Sequence, residues 1–495
     1  MKSILRNCPA TLFGRRLSPA ALGCGALAAL MSFPLAHAAQ APKPNVLLII
    51  ADDLNNWIGP MGGNAQVRTP NLDKLAARGV TFRNAQCAAP LCNPSRTAFL
   101  SGMRPSTTGI YHNQQVWMPH IGRGLCLNDY IRQFGYTALG AGKIYHYRNY
   151  RAEDWDDVFY FADDTLPNHP ASRRPGPFGY RMFTDGEPLQ PFDEKRPESQ
   201  LVDARSVSWC IERLAGVKAP FFMACGVHRP HTPWDIPKKY FDLYRLETIQ
   251  LPEVITNDLA DVPPRGVEFA RPKGVHATIV RLGLWQDRVR AYLAAISYAD
   301  AQIGRLLDAL DQSPQSDNTI IVFVGDNGWH LGPKEHWGKV TLWDEATRVP
   351  LIWVAPGVAK AGGICEQAVD LMCIYPTVCE LAGVPLPKHV EGRSIKPLLV
   401  NPAGEWTHPA LSTMYQNNHT LVTADWRYIR YEDGTEELYN ERTDPHEWTN
   451  VASKVELATV KKSLAKYFPA TNAAPVAEPA APAKKKKGKR AQAEE

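Results

Sequence analysis

One short run of residues combines a reactive side chain with a cation at a fixed spacing. Residues 92–96 read Cys-Asn-Pro-Ser-Arg, and a stretch that ends at Gly102 follows them. Proline favours the first turn of a helix, and the free N–H groups and dipole of a helix N-terminus attract anions. The run predicts an anion site beside Cys92, although a buried cysteine before a capped helix would give the same pattern.

Two pairs of oxygen-bearing residues each follow an apolar run. Asp52 and Asp53 come after the first run, and Asp326 and Asn327 come after a later one. Taken separately, the first pair could be a helix cap and the second a plain turn. Together they offer three carboxylates and an amide oxygen, a set that suits Ca²⁺ better than zinc. Abutting carboxylates also need a nearby cation.

Several basic side chains stand at comparable places along the chain. Lys143 and His146 lie within residues 142–146, and His228 follows an apolar run. Lys339 lies in a segment rich in glycine and tryptophan. A single histidine is more often structural, and a single lysine is more often solvated. Because each of them follows an apolar run or lies in the segment after Asp326, all four could nevertheless converge on one crevice.

Three continuous apolar runs predict the strands that position these residues. They cover residues 44–50, 220–226 and 318–324, and each leads into polar residues. Unbroken runs of this kind are typical of strands buried on both faces of a parallel sheet. Helical spacing is clearest at 289–310. We therefore predict an α/β fold with a large, mostly parallel sheet sandwiched by helices and ligands bound beyond the strand carboxyl ends.

The N-terminus has the three parts of an export signal. Basic residues such as Lys2 and Arg6 precede an apolar run at about 20–35, and Ala36-His37-Ala38 offers a cleavage site. Glycine and proline interrupt the apolar run, which falls short of the ~20 residues that a membrane span needs. We therefore predict a signal peptide at 1–38, a periplasmic or secreted protein, and no stable membrane insertion.

Composition divides the remaining chain into regions. A catalytic domain is predicted at 43–402, within which residues 147–200 are rich in proline, glycine and aromatics and favour long ordered loops. A hairpin signal around Gly434 and a closing helical pattern predict a small antiparallel C-terminal subdomain at 403–468. The Ala/Pro-rich and then Lys-rich segment 469–495 is predicted to be disordered.

Charge and cysteine content exclude some classes of protein. The chain carries 55 basic and 50 acidic side chains, and much of the small excess lies near the C-terminus, so nothing predicts nucleic-acid binding. Eight cysteines follow residue 38, and an oxidising compartment would permit disulfides. None has the Cys-x-x-Cys spacing of a zinc site. Cys92 must stay unpaired if it is the reactive group.

Five motifs in order give the chain a family resemblance. They lie at residues 92–96, 142–146, 227–233, 326–332 and 437–440. The chain resembles, over nearly all of residues 44 to 450, the sulfatase family of the alkaline phosphatase superfamily. Within that family it is most similar to the iduronate-2-sulfatase group. The resemblance implies an alkaline-phosphatase-like sheet and a Cys92 that a formylglycine-generating enzyme oxidises to formylglycine.

The resemblance also implies a role for each site residue. The calcium ligands would be Asp52, Asp53, Asp326, Asn327 and the modified Cys92. The catalytic residues would be Arg96, Lys143, His146, His228 and Lys339. We assign Arg96 to the formylglycine hydrate, His228 as general acid and His146 as base for hydrate collapse, although the two histidines could be exchanged. The hydrate has a second hydroxyl group, and its collapse to the aldehyde can expel sulfate. The sulfate ester of a serine has no second hydroxyl group and would be stable.

The substrate is expected to be a sulfated carbohydrate. A 2-O-sulfated uronate from a glycosaminoglycan or an algal polysaccharide is preferred, with carboxylate contacts from Arg173, Arg174, Arg229 and His231. The chain departs from the iduronate-2-sulfatase group at Asn327, where the group has histidine, and at Arg229, where it has lysine. Choline or aryl sulfates, phosphonate esters, and glycan binding by an unoxidised protein without catalysis remain alternatives.

Overall fold

The computed structural model describes residues 42–147, 149–160, 197–234 and 236–479. The predicted signal peptide, most of the 147–200 region, Arg173, Arg174 and residues 480–495 lie outside the described residues. Among the helices in the described part, none is both long and apolar enough to cross a membrane.

The described chain contains these strands and helices. The strands are β1 (Asn45–Asp52), β2 (Val80–Phe82), β3 (Ala85–Gln86), β4 (Thr137–Gly142), β5 (Asp157–Phe159), β6 (Phe221–Pro230), β7 (Thr319–Gly325), β8 (His330–Leu331), β9 (Trp337–Gly338), β10 (Leu351–Val354), β11 (Gly363–Cys365), β12 (Val369–Asp370), β13 (Ala410–Met414), β14 (Asn418–Val422), β15 (Trp426–Arg430) and β16 (Glu436–Asn440). The α-helices are α1 (Pro70–Ala77), α2 (Cys92–Ser101), α3 (Pro105–Thr108), α4 (Leu127–Arg132), α5 (Val202–Leu214), α6 (Lys238–Phe241), α7 (Pro264–Ala270), α8 (Val275–Arg281), α9 (Trp285–Asp311), α10 (Asp344–Thr347), α11 (Ile374–Leu381), α12 (Lys396–Val400) and α13 (Ala458–Ala465).

The largest sheet has eight strands in the order β11-β2-β10-β7-β1-β6-β4-β5. At its centre β1 runs parallel to β6 and β7, and every residue of β1 is buried. β10 is antiparallel to β7 and β2, so the sheet is mixed although mostly parallel. The three predicted strands therefore form the middle of the sheet, and the predicted fold class is confirmed.

Helices cover both faces of this sheet because the side chains of β1 alternate between two cores. Leu47 and Ile49 belong to one core, which includes residues of α5 and α9. Val46, Leu48 and Ile50 belong to the other, with residues of α2, α4 and α11. Both faces are thus fixed, and the loops that leave the carboxyl ends of β1, β6 and β7 meet at one edge.

A smaller antiparallel sheet has the strand order β13-β14-β15-β16. The predicted hairpin is present, with Trp426 opposite Asn440 across β15 and β16. Arg427 on β15 is fully buried and forms an ion pair of 2.6 Å with Asp344 at the start of α10. Removing one partner of such a buried pair is costly, so this contact ties the smaller sheet firmly to α10.

Residues 470–479 form a segment outside the helices and strands, which we name the C-terminal strap. Its Ala473 N–H donates a 2.7 Å hydrogen bond to the Ser106 carbonyl, and the Gln115 side-chain amide donates a 2.5 Å bond to the Val476 carbonyl. The chain thus differs from the predicted disorder between 470 and 479. The physical reason is that buried polar groups of the main body, such as Gln115, need the partners that the strap supplies.

Candidate active site

The carboxyl ends of β1 and β7 bring the predicted acidic residues together. Asp52 ends β1, Asp53 follows it with a φ of 59°, and Asp326 comes directly after β7. The Asp53 N–H donates a 3.0 Å hydrogen bond to Asp326 Oδ1, which also accepts a 2.8 Å bond from the Asn327 N–H. A positive φ at a non-glycine residue costs of order 1 kcal/mol, and these bonds help to hold the strained turn.

Three carboxylates share a space that solvent does not reach. Oxygen atoms of Asp52, Asp53 and Asp326 lie within 4.8 Å of one another, and all three residues are fully buried. Burial, which the Arg96 cation only partly offsets, raises the pKa of Asp326 to about 7. Burial acts in the same direction at Asp52, but Lys143 and other cations outweigh it and lower the pKa of Asp52 well below its usual value. The cluster therefore depends on positive charge.

Two acceptor oxygens in this cluster have properties that fit a metal ion. Asp53 Oδ2 and Asn327 Oδ1 are buried and accept no hydrogen bond from the described residues. Buried polar atoms normally have a partner, so each such exception needs an explanation. With Asp52 and Asp326 they form an all-oxygen donor set, which is the chemistry that Ca²⁺ prefers. The residues present thus fit the predicted cation.

Cys92 is the first residue of α2, so that Pro94 lies in the first turn of the helix, and it is fully buried. Lys339 Nζ donates to Cys92 Sγ at 2.7 Å, and the sulfur lies 3.8 Å from Asp53 Oδ1. Burial and the Asp52 carboxylate raise the pKa of the Cys92 thiol well above its usual value despite two nearby lysines. Because the thiolate is the reactive form, an unmodified cysteine here would be a poor nucleophile.

Arg96 lies one helical turn beyond Cys92 and faces the carboxylates. Its Nε donates a 2.6 Å hydrogen bond to Asp326 Oδ2, and a terminal nitrogen donates a 3.2 Å bond to Asp52 Oδ1. The same guanidinium also donates to the carbonyls of Lys143 and Ile144. Arg96 therefore joins the ends of β1 and β7 to the segment after β4.

Two lysines reach the same carboxylates from different loops. Lys143 Nζ pairs with Asp52, and Lys339 Nζ pairs with Asp53. The carbonyl of Lys339 lies 3.0 Å from His336 Nε2, which helps to hold its loop. Val340 follows with a φ of 75°, which is rare for a β-branched residue. The backbone at this point is strained in a way that functional loops often show.

His231 lies closer to the carboxylates than its predicted role as a substrate contact suggests. Its Nε2 is 3.6 Å from Asp53 Oδ2, and it forms a possible ligand group with Asp52 and Cys92. β6 extends to Pro230, four residues beyond the predicted strand, and Asp52 pairs with Pro230 across a register shift. The apolar run predicted a strand end at residue 226, which is too early, although the His-Arg-Pro-His spacing could have indicated the second histidine.

His228 and Arg229 stand next to His231 but interact differently. The rings of His228 and His231 are 4.7 Å apart, and a guanidinium nitrogen of Arg229 lies 2.6 Å from His228 Nδ1. The backbone N–H groups of His228 and Arg229 donate to Asp203 on α5 at 2.6 and 3.2 Å. Arg229 thus contacts His228 and Asp203, and Arg173 and Arg174 lie outside the described residues.

Burial keeps the histidines of the site neutral. It lowers the pKa of His231 to about 4, although Asp53 opposes the effect. Burial first and then Lys143 lower the pKa of His146 well below its usual value. Burial and His231 do the same for His228. A neutral imidazole accepts a proton, and an anion bound beside it would raise its pKa again.

Comparison with known sequences places the chain among characterised proteins. Residues 44–384 match the family model described as "Sulfatase", and residues 332–473 match the model of the C-terminal part of N-sulphoglucosamine sulphohydrolase. A "Sulfatase" of Formosa agariphila is 38% identical over 457 residues, which cover 88% of each chain. Iduronate 2-sulfatase of Homo sapiens is 33% identical over 387 residues, covering 69% of this chain and 70% of the human protein.

Solved structures share the fold at lower identity. One, in complex with its substrate D-glucosamine-2-N,6-O-disulfate, has a TM-score of 0.69 at 21% identity and covers 86% of this chain and 96% of that one. A phosphonate monoester hydrolase of Silicibacter pomeroyi has a TM-score of 0.68 at 22% identity, with 86% and 94% coverage. Because such identities show the fold alone, they do not separate sulfur from phosphorus chemistry.

Calcium should stabilise the protein more at pH 8 than at pH 5. Between the ordinary aspartate pKa of about 4 and its folded value of about 7, metal-free folded protein keeps a proton on Asp326 that the unfolded chain has released. Raising the pH through that window therefore favours unfolding of the metal-free protein, whereas Ca²⁺ bound at the cluster would displace the proton. At a hundredfold excess over Kd, calcium adds about 2.7 kcal/mol. We expect a larger rise in Tm at pH 8, measured by thermal scanning with calcium or chelator.

Asp326→Asn should abolish this pH-dependent part of the calcium effect. Asp317→Asn, an exposed change just before the opposite end of β7, is the matched control and should behave as the unchanged protein. A calcium-induced rise that is equal at both pH values, or that survives in Asp326→Asn, would contradict the ligand assignment.

Proposed function

This chain belongs to the sulfatase family and is a sulfuric ester hydrolase, and from that premise we propose an exported, calcium- and formylglycine-dependent enzyme that acts on sulfated carbohydrates. The observation that carries the proposal is the buried Cys92, which lies against Lys339 beside buried acceptor oxygens that lack partners among the described residues. A buried thiol with a raised pKa fits a residue that must be chemically altered before it can react.

The calcium ion and the modified residue would be held by the residues already described. Asp52, Asp53, Asp326, Asn327 and residue 92 would ligate calcium. When bound, calcium would supply a Lewis acid, and the formylglycine would supply the hydroxyl nucleophile. Arg96 would fix the relative positions of Asp52 and Asp326, since it bonds to both. Formylglycine formation requires the maturation enzyme as a partner.

Lys143 and Lys339 would bind the sulfate group from two sides. Both ammonium groups are buried beside the carboxylates, and the Asp53 and Asp52 charges raise their pKa values against the effect of burial. They therefore stay charged at every physiological pH. Fixed positive charge directed at the sulfuryl oxygens stabilises the charge that develops there in the transition state, which is commonly the largest catalytic term.

Two histidines compete for the role of general acid toward the departing sugar oxygen. The sequence assigns this role to His228, and we propose His231 as a second candidate, because His231 Nε2 lies 3.6 Å from Asp53 Oδ2. The negative charge of a bound sulfate ester would raise the pKa of His231 and let it carry the proton. His146 remains the base that we assign to the return of the aldehyde.

The preferred substrate is a 2-O-sulfated uronate within a polysaccharide. Human iduronate 2-sulfatase at 33% identity and an ulvan-active sulfatase of Formosa agariphila at 26% support this class. Arg229, Arg173 and Arg174 are proposed to contact the uronate carboxylate. A choline or aryl sulfate is a second candidate, since a choline-sulfatase of Rhizobium meliloti is 27% identical over 435 residues. Signal peptide cleavage after residue 38 and export are part of the same proposal.

Two facing glycines set the position of Lys143. The Lys143 N–H donates a 3.0 Å hydrogen bond to the Gly226 carbonyl, at the point where the pairing of β4 with β6 ends. A Cβ at Gly226 would overlap the carbonyl group of Lys143, which is backbone and cannot swing away. Gly142 on β4 has a φ of 73°, which glycine adopts without strain. Lys143 can therefore approach Asp52 only because residue 226 has no side chain.

The first test is sulfate release by enzyme produced together with a formylglycine-generating system. The panel contains 2-O-sulfated uronate disaccharides, other sulfated sugars, choline sulfate and nitrophenyl sulfate. We expect release that disappears in Cys92→Ala, with the uronate disaccharides preferred. Peptide mass at residue 92 verifies the modification. Modified protein that releases no sulfate from any ester would overturn the proposal and direct attention to phosphonate esters.

The histidine assignment predicts a dependence on the leaving group. His231→Ala should lower kcat/KM for a sugar sulfate by about 10²–10⁴. The loss for nitrophenyl sulfate should be much smaller, because that leaving group departs without a proton. His228→Ala is the comparison and should affect both esters to a similar extent. The reverse pattern would return the role to His228, and equal losses in His231→Ala would exclude His231.

Gly226→Ala should lower the activity of the enzyme by displacing Lys143. Displacement of Lys143 by about 1 Å is expected to lower kcat roughly a hundredfold. Gly216→Ala is the matched control, because an added Cβ there meets no atom within 4 Å. The measurements are kcat on nitrophenyl sulfate and Tm. A Gly226→Ala enzyme with normal kcat would show that the position of Lys143 does not matter.

A further inference from the structure

A cleft of about 270 Å³ lies between the end of α2, the start of β13 and the region after α13. Its lining includes Arg104, Asp370, Arg393, Trp406, His408 and Tyr467. Arg104 comes three residues after α2 ends, whereas Cys92 begins that helix. A helix of ten residues spans about 15 Å. The cleft is therefore a place separate from the candidate active site.

The carboxylates of this cleft are already satisfied by the protein. Asp370 Oδ2 accepts hydrogen bonds from the Arg104 guanidinium at 2.8 Å and from the Leu411 N–H at 3.1 Å. Glu391 accepts from the Arg104 N–H and from the Thr107 hydroxyl, both at 2.5 Å. Arg104 and both carboxylates thus form one internal network. One cation and two carboxylates leave this network with one net negative charge, which lies on the exposed Glu391.

Arg393 is the second cation in the lining of the cleft. It is exposed, and no carboxylate of the described residues lies within ion-pair distance of it. The Arg393 charge acts on the neighbouring His408, since burial and then Arg393 lower the pKa of that imidazole. A planar guanidinium without a partner can bind a sulfate or carboxylate through two parallel hydrogen bonds.

Aromatic surfaces stand beside this cation. The Tyr467 side chain is 46% exposed, which is unusual for a large aromatic residue in a cleft. Trp406 is half-buried and meets the His408 ring edge-on, with 5.6 Å between ring centroids. Rigid aromatic surfaces with a polar edge give large contact area at little cost in conformational entropy. An apolar ring face next to an anion site matches a sugar ring that carries a charged substituent.

We propose that this cleft is a second carbohydrate site, which binds a sulfated or carboxylated sugar unit of a polysaccharide chain apart from the unit being hydrolysed. Arg393 binds the anionic substituent, and Trp406 and Tyr467 contact the sugar ring. This inference rests on the proposed carbohydrate substrate. A site a helix length from Cys92 would raise the affinity for polymers through effective concentration and leave short substrates unaffected.

The test uses direct binding, so that it does not depend on turnover. Octasaccharides of a glycosaminoglycan that contains 2-O-sulfated uronate are titrated into Cys92→Ala protein by calorimetry, with fully desulfated octasaccharides as the ligand control. Arg393→Glu and Tyr467→Ala are the variants, since both side chains are exposed. Lys218→Glu, an exposed charge reversal just before β6, is the matched control. Loss of a charge-assisted contact should weaken octasaccharide binding about tenfold.

The same substitutions in the modified, active enzyme separate this inference from the proposed function. We expect unchanged kcat and KM for nitrophenyl sulfate, and a raised KM for the octasaccharide only. Equal octasaccharide affinity in Arg393→Glu, Tyr467→Ala and Lys218→Glu would overturn the second site while sulfate release stands. Sulfate release that fails in every variant would contradict the proposed function, and the calorimetric result would still decide whether the cleft binds sulfated sugar.

Discussion

Charge compensation at the carboxyl ends of β1 and β7 is the constraint on which the rest of the site depends. Three buried carboxylates would repel one another strongly in a medium of low dielectric constant. Arg96 reduces this repulsion through hydrogen bonds to Asp52 and Asp326. The two lysines reduce it further through ion pairs with Asp52 and Asp53. A divalent cation would neutralise the remaining negative charge. Asp53 Oδ2 and Asn327 Oδ1, which accept no hydrogen bond from the described residues, could ligate it.

This constraint explains why so many distant segments end at one point. Asp53 and Asp326 are 273 residues apart in the chain, yet parallel pairing of β1 with β7 places them side by side. Antiparallel β10 and the smaller sheet do not supply ligands themselves. The Arg427 to Asp344 ion pair instead fixes the smaller sheet against the segment that follows Lys339. The strand pairing thus determines where the charged residues lie, and the other side chains of the candidate site are positioned around them.

The sequence predicts those features of the fold and site for which residue chemistry and local pattern coincide. Apolar runs located the three central strands, and the residue types at their ends indicated the acidic cluster that the structure brings together around Asp52 and Asp326. It failed where tertiary contacts decide the outcome. The pairing of β1 with β6 continues to Pro230 only through a register shift, and this continuation places His231 beside Asp53. The order of residues 470–479 depends on Gln115, which no local pattern reveals.

The C-terminal strap is synthesised long after the segment around Cys92 that it helps to hold. The Gln115 carbonyl accepts hydrogen bonds from the side-chain amides of Asn93 and Asn149, so the residue that the strap holds lies next to the start of α2. Val476 follows Gln115 by 361 residues. At synthesis rates of about 5–20 residues per second, a ribosome makes the strap roughly twenty seconds or more after it makes Cys92. For that interval the nascent chain contains the segment around Cys92 without the hydrogen bonds that the strap supplies.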